Sequence, residues 1–152
     1  MRSTAIIMSA CLIALAVGGV VLFAAFRGDA GGGDSGDGAG SQVLLAAGDI
    51  AECDHQGDEA TARILAEYPN ATIATLGDNA YEHGTLEEFR NCYAPSWGPF
   101  KDRTRPTTGN HDNSTKNAQG YWDYFGARGG SYDRYYYSYD LGAWHVVVLN
   151  SD

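Results

Sequence analysis

An α/β fold whose leading strands run parallel is what this sequence predicts, and three observations carry the prediction. Short apolar runs alternate with segments of helical periodicity, the pattern of a sheet covered by helices. Three of those runs stop at a glycine followed by an oxygen-bearing side chain: Gly48-Asp49, Gly77-Asp78 and Gly109-Asn110. The turns recur at intervals of roughly 30 residues, which suits one strand–helix–strand unit each. The chain of 152 residues is 44% hydrophobic, enough to bury a core.

The elements follow in order. Residues 43–47 are a short apolar run, read as a buried strand that ends at Gly48. Residues 58–68 carry Ile64, Leu65 and Tyr68 among alanines at helical spacing, and Pro69 blocks continuation. Residues 71–76 are a second buried strand. Thr85 and Glu88 form the Thr-x-x-Glu pattern of a capping box, which predicts a short helix through about residue 90. Residues 105–108 are a brief strand and 118–125 an aromatic-rich helix. Residues 135–139 and 143–149 are two strands joined at Asp140-Leu141-Gly142.

Two segments precede this folded region, 43–152. Residues 1–27 contain an uncharged apolar run, 5–26, that would make a helix of about 33 Å against a hydrocarbon core of about 30 Å. It reads as a signal anchor, with a cleaved signal peptide as the alternative, and places the remainder outside the cytoplasm, membrane-anchored or secreted. Residues 28–42 are rich in glycine and interspersed with Asp29, Asp34 and Asp37, a flexible linker. The net charge is −9, and Arg2 and Arg27 are the only charges before Asp29, so the exported part is more acidic still. That balance argues against a nucleic-acid partner, which needs clustered cations. Cys53 and Cys92 are the only cysteines outside the apolar run; in an exported domain a bridge between them would close a loop of about 40 residues.

Chemistry concentrates in the three turns. Parallel strands bring their carboxyl ends to one edge, where α/β sheets bind ligands. Glycine lets the backbone turn and approach closely, and the Asp and Asn beside it supply hard oxygen ligands.

The ordered set Gly48-Asp49, then Gly77-Asp78-Asn79 with Tyr81, then Gly109-Asn110-His111-Asp112 resembles the first half of the signature of calcineurin-like metallophosphoesterases. The spacing from Asp78 to Tyr81 is similar to the purple acid phosphatase branch. The stretches 81–89 (YEHGTLEEF), 97–100 (WGPF) and 137–146 (YSYDLGAWHV) look like bacterial secreted members. The resemblance covers about residues 43–152 and implies a layered β-sandwich flanked by helices, of which this chain holds the N-terminal half. It implies hydrolysis of phosphate esters at a dinuclear centre with a metal-bridging water or hydroxide as nucleophile. Asp49 would bind the first metal, Asp78 would bridge both, Tyr81 would complete the first site, and Asn110 would bind the second. His111 would act beside the leaving group, with Asp112 orienting it. A phenolate at Tyr81 suits Fe(III), paired with Fe, Zn or Mn(II); the position two residues after Asp49 is Ala51 rather than a histidine.

Other candidates have plainer explanations. His55 and His83 read as exposed loop residues and His145 as a hydrogen-bonded core residue of a strand. Tyr121, Trp122, Tyr124, Phe125, Tyr132, Tyr135, Tyr136, Tyr137 and Tyr139 read as packing rather than a stacking wall. The family's later histidine ligands have no match here, so the sequence is read as a fragment incomplete at its C terminus. The same gap motivates a rival: a non-catalytic extracellular metal- or ligand-binding module with the same fold. Neither substrate identity nor oligomeric state follows from the residues.

Overall fold

The computed structural model describes residues 26–28 and 42–150. Residues 1–25 and 29–41, most of the predicted anchor and linker, lie outside the described residues. Among the described residues no helix is long and apolar enough to cross a membrane.

The architecture is mixed α/β. Strands β1 (Phe26–Gly28), β2 (Gln42–Ala47), β3 (Thr72–Thr75) and β4 (Thr104–Arg105) form one sheet in that order. β2, β3 and β4 are parallel, with Leu45 opposite Ile73 and Ile73 opposite Thr104, as the strand–helix–strand spacing predicts. β1 was not expected: the three residues at the predicted anchor–linker boundary pair antiparallel with Gln42–Leu44. β4 is shorter than predicted because Pro106 has no N–H to extend the ladder.

Between β2 and β3 runs α1 (Gly57–Glu67), which turns Asp58, Ala62 and Leu65 inward at spacings of four and three residues. Trp97 is fully buried against it and donates its indole N–H to the carbonyl of Asp58 and to Thr61 Oγ1. The Ser96 hydroxyl donates to the Asp58 carboxylate. Burial pushes the Asp58 carboxyl above its ordinary range, partly offset by that hydroxyl.

The capping box forms as the sequence predicts. Thr85 Oγ1 accepts from the Glu88 N–H and Glu88 Oε2 accepts from the Thr85 N–H, opening α2 (Leu86–Glu88). The helical course does not stop near residue 90. It continues as a π turn, Phe89–Tyr93, then α3 (Ala94–Ser96) and a 3₁₀ segment, Gly98–Arg103. Pro95 and Pro99 look like breakers in the sequence, but each sits in the first turn of its own short segment, where no N–H is needed. The π turn aims Phe89, Cys92 and Tyr93 at the core, where Phe89 and Tyr93 meet Phe125 edge to face at 5.5 and 5.6 Å.

α4 (Gln119–Phe125) supplies Tyr121, Trp122 and Phe125 to the same core. β5 (Tyr137–Leu141) and β6 (Trp144–Val148) form the predicted hairpin as a separate two-stranded sheet, closed by Gly142 at φ 60°. β5 starts two residues later than predicted because Tyr135 adopts φ 55° and packs edge-on against Trp122. The aromatic cluster therefore divides: Tyr121, Trp122 and Phe125 are core, whereas Tyr132 and Tyr136 are exposed. His145 corrects an expectation too. It is hydrogen-bonded, to Asp140 at 2.7 Å, but the pair lies on the exposed face of the hairpin.

Cys53 and Cys92 are joined in a disulfide that ties the loop after β2 to the π turn. Closing a loop of about 40 residues restricts the unfolded chain by about 4 kcal/mol. The double variant Cys53→Ala/Cys92→Ala is expected to lose about that much stability in urea unfolding, and reductant should leave it unchanged while lowering the parent chain. The raised Asp58 carboxyl contributes stability that is present below the ordinary carboxylate range and is lost as pH rises. Asp58→Asn is accordingly expected to flatten the decline in unfolding free energy as pH rises above the ordinary carboxylate range.

Candidate metal centre

Beyond their last ladder pairs, β2 and β3 stay zipped. Leu76 N–H donates to Ala47 O at 2.8 Å, Ile50 N–H to Asp78 O at 2.9 Å and Ala51 N–H to Asn79 O at 3.2 Å. Tyr81 N–H returns to Ala51 O at 2.8 Å, and Ala51 bridges Ala80. Two glycine–aspartate turns thus run side by side. Asp49 and Asp78 both adopt left-handed backbone, φ 52° and 49°, a conformation aspartate tolerates better than most residues.

The third turn packs directly on the second. A Cβ on Gly77 would lie 2.8 Å from Gly109 Cα, and a Cβ on Gly109 would collide with the Asp78 carboxylate. Glycine at both positions is therefore a requirement of close approach. His111 N–H donates to Asp78 Oδ1 at 2.9 Å, so the third turn also fixes the orientation of that carboxylate.

The structure brings Asp49, Asp78 and Tyr81 together. The Tyr81 hydroxyl donates to Asp49 Oδ1 at 2.6 Å and lies 3.4 Å from Asp78 Oδ2. Burial, then the hydrogen bond to Asp49 and the charges of both carboxylates, push the phenol well above its ordinary pKa. Without a cation the phenol keeps its proton, which sits between two carboxylates. Three hard oxygens converging on one proton form a donor set suited to an oxygen-seeking cation such as Fe(III). Asp49, Tyr81 and Asp78 would hold it. Asn110 is an exposed residue of the third turn, one position before His111, and its carbonyl accepts from Ser114 Oγ. Among the described residues no group of three or more His, Cys, Asp or Glu side chains is placed to hold a metal; this cluster has two carboxylates and a phenol.

His111 stacks at a tilt on Tyr81, ring centroids 4.5 Å apart. Its Nδ1 lies 2.7 Å from the Glu82 carbonyl, an acceptor only, so Nδ1 carries the proton in that contact. That hydrogen bond, opposed by burial and aided by Asp78, Glu82 and Asp112, raises the imidazole pKa. The Glu82 carbonyl orients the ring, a role the sequence reading gave to Asp112.

Asp112 has a different task. It is fully buried and accepts from Gly109 N–H at 3.0 Å, Asn79 Nδ2 at 2.8 Å and Asn79 N–H at 3.2 Å. Burial outweighs these donors and pushes its carboxyl up to about 6. Asn79, which the sequence reading noted only as part of a motif, also donates to Thr107 O at 2.7 Å. Glu88 collects the N–H groups of Glu82, His83 and Thr85 and so fixes the loop after Tyr81. A capping box whose glutamate has further donors nearby was the only sequence signal for that. His55 pairs with Glu52 in solvent and His83 is exposed, so neither joins the cluster.

The chain matches no protein-family model, no curated protein and no solved structure.

Removing the Asp112 acceptor strands three N–H donors in the interior. Asp112→Ala is expected to cost about 3 kcal/mol in urea unfolding. Surface carboxylates such as Asp123 supply the control, with changes within about 0.5 kcal/mol.

Proposed function

We propose that this chain supplies the cation-binding strand ends of a metal-dependent phosphoesterase of the calcineurin-like, purple acid phosphatase-like kind. The observation that carries the reading is the Tyr81 hydroxyl held between the Asp49 and Asp78 carboxylates. The ordered turns, the His111 contact to Asp78 and the resemblance in sequence support it further. The layered β-sandwich of that family belongs to the same proposal, with the small parallel sheet and the separate hairpin as parts of its two layers. So does an extracytoplasmic location, membrane-anchored or secreted, which a disulfide favours.

When bound, two cations, Fe(III) with Fe, Zn or Mn(II), would lower the pKa of a water and clamp the phosphate of an ester for in-line attack. The chain's own residues have distinct tasks. Asp78 is positioned by the His111 N–H so that one oxygen is fixed and the other faces Tyr81. Asp49 takes left-handed backbone, and its Oδ1 accepts from the Tyr81 hydroxyl. His111 holds one proton at Nδ1 against Glu82 O, and its raised pKa favours a second at Nε2. In that state Nε2 is a proton donor for the departing alkoxide of the substrate. Asp112 and Asn79 touch no reacting group; they hold the turns in register.

One observation favours a second reading. The donors assigned to a second cation are only Asp78 and the exposed Asn110, which suits a non-catalytic extracellular module that binds a single metal or another ligand. The two readings separate on hydrolysis. The full chain loaded with iron is expected to show a tyrosinate-to-Fe(III) absorption band that Tyr81→Phe abolishes. Asp78→Asn should reduce hydrolysis of p-nitrophenyl phosphate by about 10³-fold or more. Turnover unchanged in Asp78→Asn overturns the enzyme reading. Metal binding at the cluster without turnover, in a protein that joins this chain to the family's later histidine ligands, selects the module.

A further inference from the structure

β4 is the outer strand of the four-stranded sheet, and Arg105 is its last residue. Beside it opens a cleft of about 540 Å³, within the range of small-molecule sites. Its walls include Arg105 and Arg128, the rings of Phe125, Tyr137 and Tyr139, and Ser138. None of the residues of the three glycine turns lines it.

The lining holds two guanidinium groups and no carboxylate, in a chain whose net charge is −9. Arg128 is spoken for: it donates to the carbonyl of Asp102 at 2.7 Å and to its carboxylate at 2.6 Å. Arg105 has no carboxylate partner among the described residues, and its guanidinium lies 5.4 Å from the centre of the Tyr139 ring. Arg105 Nε and the Tyr139 hydroxyl are both shielded from solvent and both lack a hydrogen-bond partner. Buried donors are rarely left so, and two on the wall of one cleft single it out. Arginine presents a planar fork of donors that matches the oxygens of phosphate, phosphonate or carboxylate. Tyr137 and Tyr139, stacked 6.3 Å apart at 30°, with Phe125, supply flat apolar surface next to that charge.

We propose that this cleft is a binding site for a small molecule that carries an oxyanion on a flat apolar body. Arg105 is the main contact to the anion, and the aromatic walls hold the body. The site is separate from the strand-end cluster and does not depend on the hydrolytic reading of it.

Phenylphosphonate is a suitable probe, because its carbon–phosphorus bond resists phosphoester hydrolysis. Titrated calorimetrically into the full chain, it is expected to bind saturably at one site. Arg105→Gln should weaken that binding at least about tenfold, as expected for loss of a charge-assisted contact. Asp78→Asn, which disables the strand-end cluster, should leave it unchanged. If Arg105→Gln does not show native circular dichroism, Arg105→Lys decides, because it keeps the charge and removes the planar fork: weakened binding supports the site and unaltered binding overturns it. Absence of saturable binding overturns it as well. So does binding that survives Arg105→Gln and disappears in Asp78→Asn, which would put the anion at the strand ends.

Discussion

The buried carboxylate of Asp112 is the constraint on which the functional edge of this fold depends. It is the common acceptor for the backbone and side chain of Asn79 in the second turn and for the backbone of Gly109 in the third. Turns are irregular backbone, and irregular backbone in the interior has N–H groups that no ladder satisfies. A carboxylate is one of the few groups that accepts several such donors at once. Its charged form is costly at that depth, which is why its pKa rises despite the donors. The arrangement accepts that cost and in exchange fixes the separation of two turns, and with it the placement of Asp78 under the His111 N–H.

The rest of the architecture brings those turns within reach of Asp112. Parallel pairing of β2, β3 and β4 puts three strand ends on one edge, and backbone bonds beyond the ladder keep the first two turns together. Glycine at 77 and 109 removes the side chains that would hold the second and third turns apart. On the other side, the disulfide and the aromatic core around Phe89, Tyr93 and Phe125 anchor the loops that follow β2 and β3. Glu88 then orders the loop that delivers the Glu82 carbonyl to His111. Two quite separate devices, a buried carboxylate and a capping glutamate, thus converge on one imidazole.

The parallel strands, α1, the capping box and the hairpin were legible because each rests on local pattern: apolar runs, helical spacing, Thr-x-x-Glu, a glycine turn. The convergence of Asp49 with Asp78 was legible because strand-end topology is implied by the spacing of the turns, whereas Tyr81 was expected there only from the family resemblance. What the sequence could not express was which group braces which. Asp112 adjoins His111 in sequence, so pairing them was the natural reading; in space the carboxylate turns inward to Asn79 while the ring turns outward to Glu82. The helical course through residues 94–103 was hidden for a similar reason. Pro95 and Pro99 mark breaks in a propensity reading, yet tertiary packing of Tyr93 and Trp97 keeps the chain helical around them. β1 was hidden because nothing local distinguishes Phe26–Gly28 from the segments on either side.

Charge at the strand ends completes the argument. Asp49, Asp78 and Asp112 lie on one edge; the Tyr81 hydroxyl donates to Asp49 and the His111 N–H to Asp78, and the charge of Asp78 adds to the burial that raises Asp112. A phenol proton between two carboxylates is a weak substitute for a cation in the same place, since it neutralises none of the net charge. Exchange of that proton for a multivalent cation would relieve the repulsion and release the raised phenol to its anionic form. Any cation that binds the folded edge and not the unfolded chain also stabilises the fold by mass action. On the proposed metal-dependent reading, the residues that gather charge at this edge are the same ones that would hold the cation.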